Sequence, residues 1–142
     1  MDDILGFDFG LKSIGVAIGQ RLTLTASPLL RLKAKQGIPN WSEVDKLIKT
    51  WQPQELVIGI PLNMDGSEQP ITQKAKQFAL ALKARYHLPT IGVDERLTTI
   101  EAREKIFTAQ GYKGLTKTKI DQLSAVIIIE SYFNSDHKLM KF

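Results

Sequence analysis

The sequence predicts an α/β fold, a mixed five-stranded sheet whose first three strands are antiparallel, with helices on both faces, and three observations predict it. Apolar runs suited to a pleated surface come first, before any helical spacing appears. Two further short apolar runs then alternate with segments whose apolar residues recur at i, i+3 and i+4, as a parallel pair of strands with crossover helices requires. A last segment, SAVIII at 124–129, is apolar all round and belongs to a helix buried on every side.

Residues 4–9 and 14–18 are apolar and flank Gly10-Leu11-Lys12-Ser13, which makes them a hairpin. A third strand is expected at 29–32. From Trp41 to Trp51, the residues Val44, Leu47, Ile48 and Trp51 fall on one helical face, and Pro53 marks the end of that helix. Glu55–Ile60, ELVIGI, is too short for a helix and is bounded by Pro61, as a buried strand would be. Ile71, Ala75, Phe78, Ala79, Leu82 and Tyr86 repeat at helical spacing; after Pro89, residues 90–93 form the fifth strand. A helix is expected over 99–109, capped by Thr99 with Glu101 and Glu104 near its positive end and closed by Gly111. A basic loop at 113–119 leads to the last helix, 120–133. No linker, repeat or low-complexity tract interrupts this order, so residues 1–142 are expected to form one domain.

Composition narrows the chemistry. With no cysteine there are no disulfides, no thiolate catalysis and no cysteine zinc site, and the flanks of His87 and His137 form no metal-binding pattern. No apolar stretch approaches the ~20 residues that span a bilayer, and Met1-Asp2-Asp3 does not open a secretory signal, so the expectation is a cytoplasmic protein without a membrane partner. The net charge of +4 is uneven: residues 1–71 hold seven basic and eight acidic side chains, residues 72–142 twelve and seven. A basic second half suits a polyanionic partner such as nucleic acid.

Three carboxylates stand where a solvated charge is not expected. Asp8 ends the apolar first strand, in GFDFG; Glu95 follows the fifth strand beside Asp94; Asp121 lies one residue into the last helix. A charge at the end of a buried strand costs several kcal/mol, on the order of a lost ion-pair partner, unless a cation or hydrogen bonds offset it. Two readings are open for each: a local role, with Asp8 capping its turn, Glu95 pairing with Arg96 or Arg103 and Asp121 answering a helix dipole, or convergence on one sheet edge as a hard-oxygen site for Mg²⁺ or Mn²⁺. Because strand side chains alternate, one of Asp94 and Glu95 can reach the side of Asp8. The glycines spell neither a P-loop nor a dinucleotide fingerprint.

Four segments resemble the signatures of the YqgF (RuvX) family: Asp8-Phe9-Gly10-Leu11-Lys12-Ser13-Ile14-Gly15-Val16-Ala17, Gly59-Ile60-Pro61-Leu62-Asn63-Met64-Asp65-Gly66, Asp94-Glu95-Arg96-Leu97-Thr98-Thr99, and Lys119-Ile120-Asp121 with Ser124-Ala125. Order and spacing agree, and the resemblance covers nearly the whole chain. It implies an RNase H-like fold related to RuvC resolvases, and a bacterial nuclease that matures the 5′ end of pre-16S ribosomal RNA in ribosome biogenesis. It implies a catalytic and metal-binding triad of Asp8, Glu95 and Asp121, holding one or two Mg²⁺ or Mn²⁺. Two positions depart from the pattern: Ser13 stands where the first signature usually carries Arg, and Ser124 where RuvC-like resolvases carry a further acid.

The expected reaction is metal-assisted phosphodiester hydrolysis, with Lys12, Arg96 and Lys119 on phosphates and the loop bearing Asn63 and Asp65 beside the substrate strand. Precursor ribosomal RNA is the expected partner, and the chain is expected to be a monomer or weak homodimer. Two alternatives stand beside it: a Holliday junction resolvase acting on branched DNA, which needs paired sites, and a non-catalytic RNA-binding module, which needs no metal.

Overall fold

In the computed structural model, the structure describes residues 3–94, 117–134 and 139–142, with backbone alone over 117–121. β1 (Asp3–Asp8) alternates between two apolar sides: Leu5 and Phe7 enter one core and Ile4 the other, each of them almost fully buried. A strand buried on both faces must lie inside the sheet, and β1 does. It pairs antiparallel with β2 (Ser13–Gln20) on one side and parallel with β5 (Glu55–Ile60) on the other. β3 (Thr25–Lys35) continues the antiparallel side, β6 (Thr90–Asp94) the parallel side.

The sheet has seven strands, in the order β4-β3-β2-β1-β5-β6-β7. The two that the sequence does not disclose are edge strands of two and three residues, β4 (Ile38–Pro39) and β7 (Leu139–Lys141), too short to carry a period. β3 is also longer than expected. Its register slips between Val16 and Ala17, which leaves Leu29 as the extra residue of a bulge next to Pro28, a residue with no N–H for the ladder.

The first core lies on the face covered by α1 (Trp41–Trp51) and α2 (Pro70–Tyr86). Asn40 starts α1 by accepting the Ser42 N–H at 3.1 Å, and the helix ends at Gln52 in the left-handed region, just before Pro53. Phe78 of α2 is the centre of that core, with ring centroids 5.6 Å from Phe7, 5.5 Å from Phe9 and 5.9 Å from Trp41. At the rim, Arg85 donates two hydrogen bonds to Asp45, at 2.9 and 2.8 Å, and lies over the Trp41 ring, while the Tyr86 hydroxyl donates to the same carboxylate at 2.6 Å. The Arg85 and Tyr86 hydrogen bonds together hold Asp45 down at about 2.

The opposite face is covered by α3 (Lys117–Phe133), in which six consecutive residues, 124–129, are buried. The helix begins at Lys117 rather than at Ile120, so the end of the expected basic loop is its first turn; Lys-Thr-Lys is polar and carries no apolar face by which sequence alone could assign it to the helix. α3 lies close on the sheet because β1 and β2 present glycine beneath it. A Cβ on Gly6 would come 2.7 Å from Ile129 Cδ1 and 3.3 Å from the Ala125 carbonyl, and one on Gly19 would come 2.6 Å from Ile129 Cγ2. The far end of α3 is tied down through the Tyr132 hydroxyl, which accepts from Arg21 at 3.2 Å and donates to Glu55 at 2.7 Å, and Arg21 and Glu55 themselves form an ion pair. The helix expected at 99–109 lies outside the described residues.

Candidate active site

β1, β5 and β6 are parallel, so their C-terminal ends share one edge of the sheet, and Asp8 and Asp94 both close their strands there. Asp8 is half-buried and points to the α3 side, as Gly6 two residues earlier does. Its cross-strand neighbours on that face are Gly15 of β2 and Gly59 of β5, so the two residues directly opposite it carry no side chain. The same row continues to Arg31 beyond Gly15 and to Val93 beyond Gly59.

Of the two adjacent acids, Asp94 pairs with Ile60 and lies on the α1/α2 face, the side away from Asp8. The acid expected to meet Asp8, Glu95, lies outside the described residues, and so does Arg96. For Asp121 the backbone gives the level. α3 runs antiparallel to β1, with Ile129 against both Gly6 and Gly19 and the Ala125 carbonyl nearest Gly6. One turn back from Ala125 is position 121, about 6 Å along the helix, which matches the ~6.6 Å that carries β1 from Gly6 to Asp8. Positions 8 and 121 therefore stand at the same end of the β1–α3 contact. Lys119 lies in the first turn of the helix.

Ser124, three residues after Asp121, is 1% exposed, and its Oγ finds no hydrogen-bond partner among the described residues. Ser13 is also buried, at the start of β2 and across from Lys33. These two hydroxyls occupy the positions that depart from the family pattern. A half-buried carboxylate with a glycine on each side and a buried oxygen lacking a partner on the facing helix are hard, oxygen-only donors. They suit Mg²⁺ or Mn²⁺ and offer nothing to a softer ion. No cluster of three metal-ligating side chains occurs among the described residues, a set that leaves out two of the three expected acids.

Asn63 and Asp65 use their side chains within their own loop. Asp65 accepts from the Ser67 amide at 2.9 Å and the Ser67 hydroxyl at 2.6 Å, Asn63 Nδ2 donates to Ser67 Oγ at 2.9 Å, and Gly66 turns the chain at φ 88°. The loop leaves β5 at the same edge as Asp8, and the Thr72 hydroxyl of α2 donates to the Pro61 carbonyl at its root. Lys12 is exposed in the β1–β2 turn, beside a hollow whose walls include Lys35 and Lys74, residues that belong to no motif.

A mixed sheet of this order, with helices on both faces, has the RNase H-like fold. The chain superimposes on T. thermophilus RuvC solved in complex with a Holliday junction substrate, with a TM-score of 0.60 and 15% identity over 99% of this chain and 100% of that one. It also superimposes on the fowlpox virus resolvase solved with Holliday junction DNA, with a TM-score of 0.57 and 16% identity over 93% and 97%. The chain belongs to the RuvX family, whose profile, described as "Holliday junction resolvase", matches residues 2–135. Two relatives carry the name "Putative pre-16S rRNA nuclease". The one from Shewanella denitrificans is 58% identical over 134 residues, covering 94% of this chain and 95% of its own; the one from Haemophilus ducreyi is 56% identical over 133 residues, covering 94% and 96%.

Proposed function

We propose that this chain is a single-domain, metal-dependent nuclease that hydrolyses phosphodiester bonds in precursor 16S ribosomal RNA. The observation that carries the reading is Asp8, a half-buried carboxylate at the end of the central strand with glycine on both flanks and position 121 of α3 at its level. Full-length relatives named as pre-16S rRNA nucleases support the substrate, and a cytoplasmic location follows from it.

Asp8, Glu95 and Asp121 would hold one or two Mg²⁺ or Mn²⁺. A bound ion of this kind supplies an activated water and stabilises charge on the leaving oxygen of an in-line displacement. The rest falls to the chain itself. Lys12, Arg96 and Lys119 bind phosphates flanking the cut, and the 61–69 loop, kept rigid by Asn63 and Asp65, borders the substrate strand. The opposing acids also repel one another, so without metal they raise the energy of the folded state.

The family description and the resolvase complexes favour a second reading, cleavage of four-way DNA junctions. One experiment separates the two: Mg²⁺- and Mn²⁺-dependent cleavage of single-stranded RNA, single-stranded DNA and four-way junctions by wild type and Asp8→Asn. RNA cleavage lost in Asp8→Asn, with an unchanged or higher melting temperature without metal, supports the proposal. Symmetrical junction cleavage with RNA untouched replaces it by the resolvase reading, and metal-independent binding without cleavage replaces it by the binding module.

A further inference from the structure

At the β1–β2 turn that follows Asp8, on the side of the sheet covered by α2, the surface holds a hollow of about 540 Å³ lined by Leu11, Lys12, Ala34, Lys35, Gln36 and Lys74. Among the described residues its charges are three ammonium groups, from three elements far apart in sequence, and none of them makes an ion pair with another described residue. Gathering like charges without a counter-ion destabilises the folded chain, so the arrangement calls for an anionic ligand.

The walls are built rather than incidental. Gln36 at φ 51° and Gly37 at φ 82° close the β3–β4 hairpin as a two-residue turn in which both residues are left-handed, a stiff geometry that fixes Lys35 opposite Ile38. The hairpin is pinned to the β1–β2 turn by two main-chain hydrogen bonds, Ala34 N–H to the Lys12 carbonyl and Gly37 N–H to the Leu11 carbonyl, each 2.9 Å. Gly37 packs on the Phe9 ring, where a Cβ would come 3.1 Å from Cε1, and Phe9 packs in turn on Phe78, one helical turn from Lys74. The residue after Asp8 thus joins all three lysine-bearing elements to the end of the central strand.

We propose that this hollow is a phosphate track, in which Lys35 and Lys74, with Lys12, bind the sugar-phosphate backbone of the substrate strand as it leaves Asp8 over the β1–β2 turn toward α2. The site rests on the nuclease reading for its polymer, and it adds two phosphate-binding residues outside the four family signatures. Three point-charge lysines against a single amide, Gln36, fit contact to the phosphate backbone more than base reading.

The test is fluorescence anisotropy of a labelled single-stranded RNA and a labelled four-way DNA junction, in EDTA so that nothing is cut, across a salt series. For Lys35→Gln/Lys74→Gln, the slope of log affinity against log salt on RNA should flatten by about 1.4, roughly 0.7 for each lost contact, which is about a 25-fold weaker affinity near 0.1 M salt. Flattening on both probes marks a track for any phosphodiester strand, and flattening on RNA alone narrows it to single strands. Lys35→Arg/Lys74→Arg should keep the wild-type slope. Lys46→Gln/Lys49→Gln, an equal loss of charge on exposed α1, should move it far less. If the Lys35/Lys74 slope equals that of the α1 control while wild type binds and cleaves RNA, the track is overturned and the nuclease reading stands. A wild type that binds neither probe overturns both.

Discussion

Ser124→Ala should stabilise the protein. Its hydroxyl is buried, at 1% exposure, in a helix whose next five positions are all withdrawn from water, and the oxygen has no hydrogen-bond partner among the described residues. Folding therefore strips water from a polar group and, among the described residues, returns nothing. Such an orphan costs about 1–3 kcal/mol, and alanine recovers it together with roughly 0.5 kcal/mol of helix propensity. Against this stands only the loss of one oxygen's packing contacts, which is small beside the ~2–5 kcal/mol of a full large-to-alanine truncation. The net expectation is a gain of about 1–3 kcal/mol, or a melting temperature raised by roughly 3–10 °C for a chain of this size. Urea and thermal denaturation in EDTA measure it. A loss of stability greater than about 1 kcal/mol would refute the reasoning, because it would mean that the hydroxyl bonds to something in the folded state.

Ser124→Asp should strengthen Mg²⁺ binding, read as a larger metal-induced rise in melting temperature at fixed Mg²⁺ and a lower concentration for half-maximal cleavage; an unmoved titration would remove position 124 from the site. Gly6→Ala should destabilise by about 1–3 kcal/mol through overpacking against Ile129, with cleavage falling as α3 is pushed from β1, and Ile129→Ala in the same chain should restore part of both. The carboxyl group of Asp45 titrates lower in the folded chain than in the unfolded one. Its contribution is therefore present above the unfolded value near 3.8 and is lost as pH falls toward about 2. Acid unfolding of Asp45→Asn, followed by circular dichroism, should show a shallower loss of stability across that window than wild type, and an identical curve would argue against the Arg85–Asp45 clamp.

Legibility in the sequence followed the size of each signal. Trp41–Trp51 carries its cap at Asn40 and its stop at Pro53, and Glu55–Ile60 is bounded by Pro61, so both have the limits their residues suggest. β4 and β7 carry no sequence signal because two or three residues at a sheet edge take their conformation from a neighbour, and β3 looks short in the sequence because its exposed half interrupts the apolar pattern. Asp8 was legible because a carboxylate inside an apolar strand is an anomaly on any reading. That Asp94 faces away from it needed the register, since two adjacent acids are equivalent until one face is assigned. Nor could Asn63 and Asp65 be seen to turn inward on Ser67, or Lys35 and Lys74 to meet, because those facts live in side-chain geometry and in contacts between distant segments.

The sheet order has a consequence for synthesis. β1 finds its first partner at once, because β2 follows it across a four-residue turn, but its second partner, β5, comes only after about 46 further residues. At a translation rate of roughly 5–20 residues per second, that leaves one edge of β1 unpaired for about 2–9 s on the ribosome. During that time a three-stranded meander with fully apolar Leu5 and Phe7 exposes a row of open amides and carbonyls, the template on which another nascent chain can add. The strand that carries Asp8 is thus the one whose folding is left half-finished the longest, and the yield of native protein should depend on how crowded the polysome is and on how soon a chaperone covers that edge.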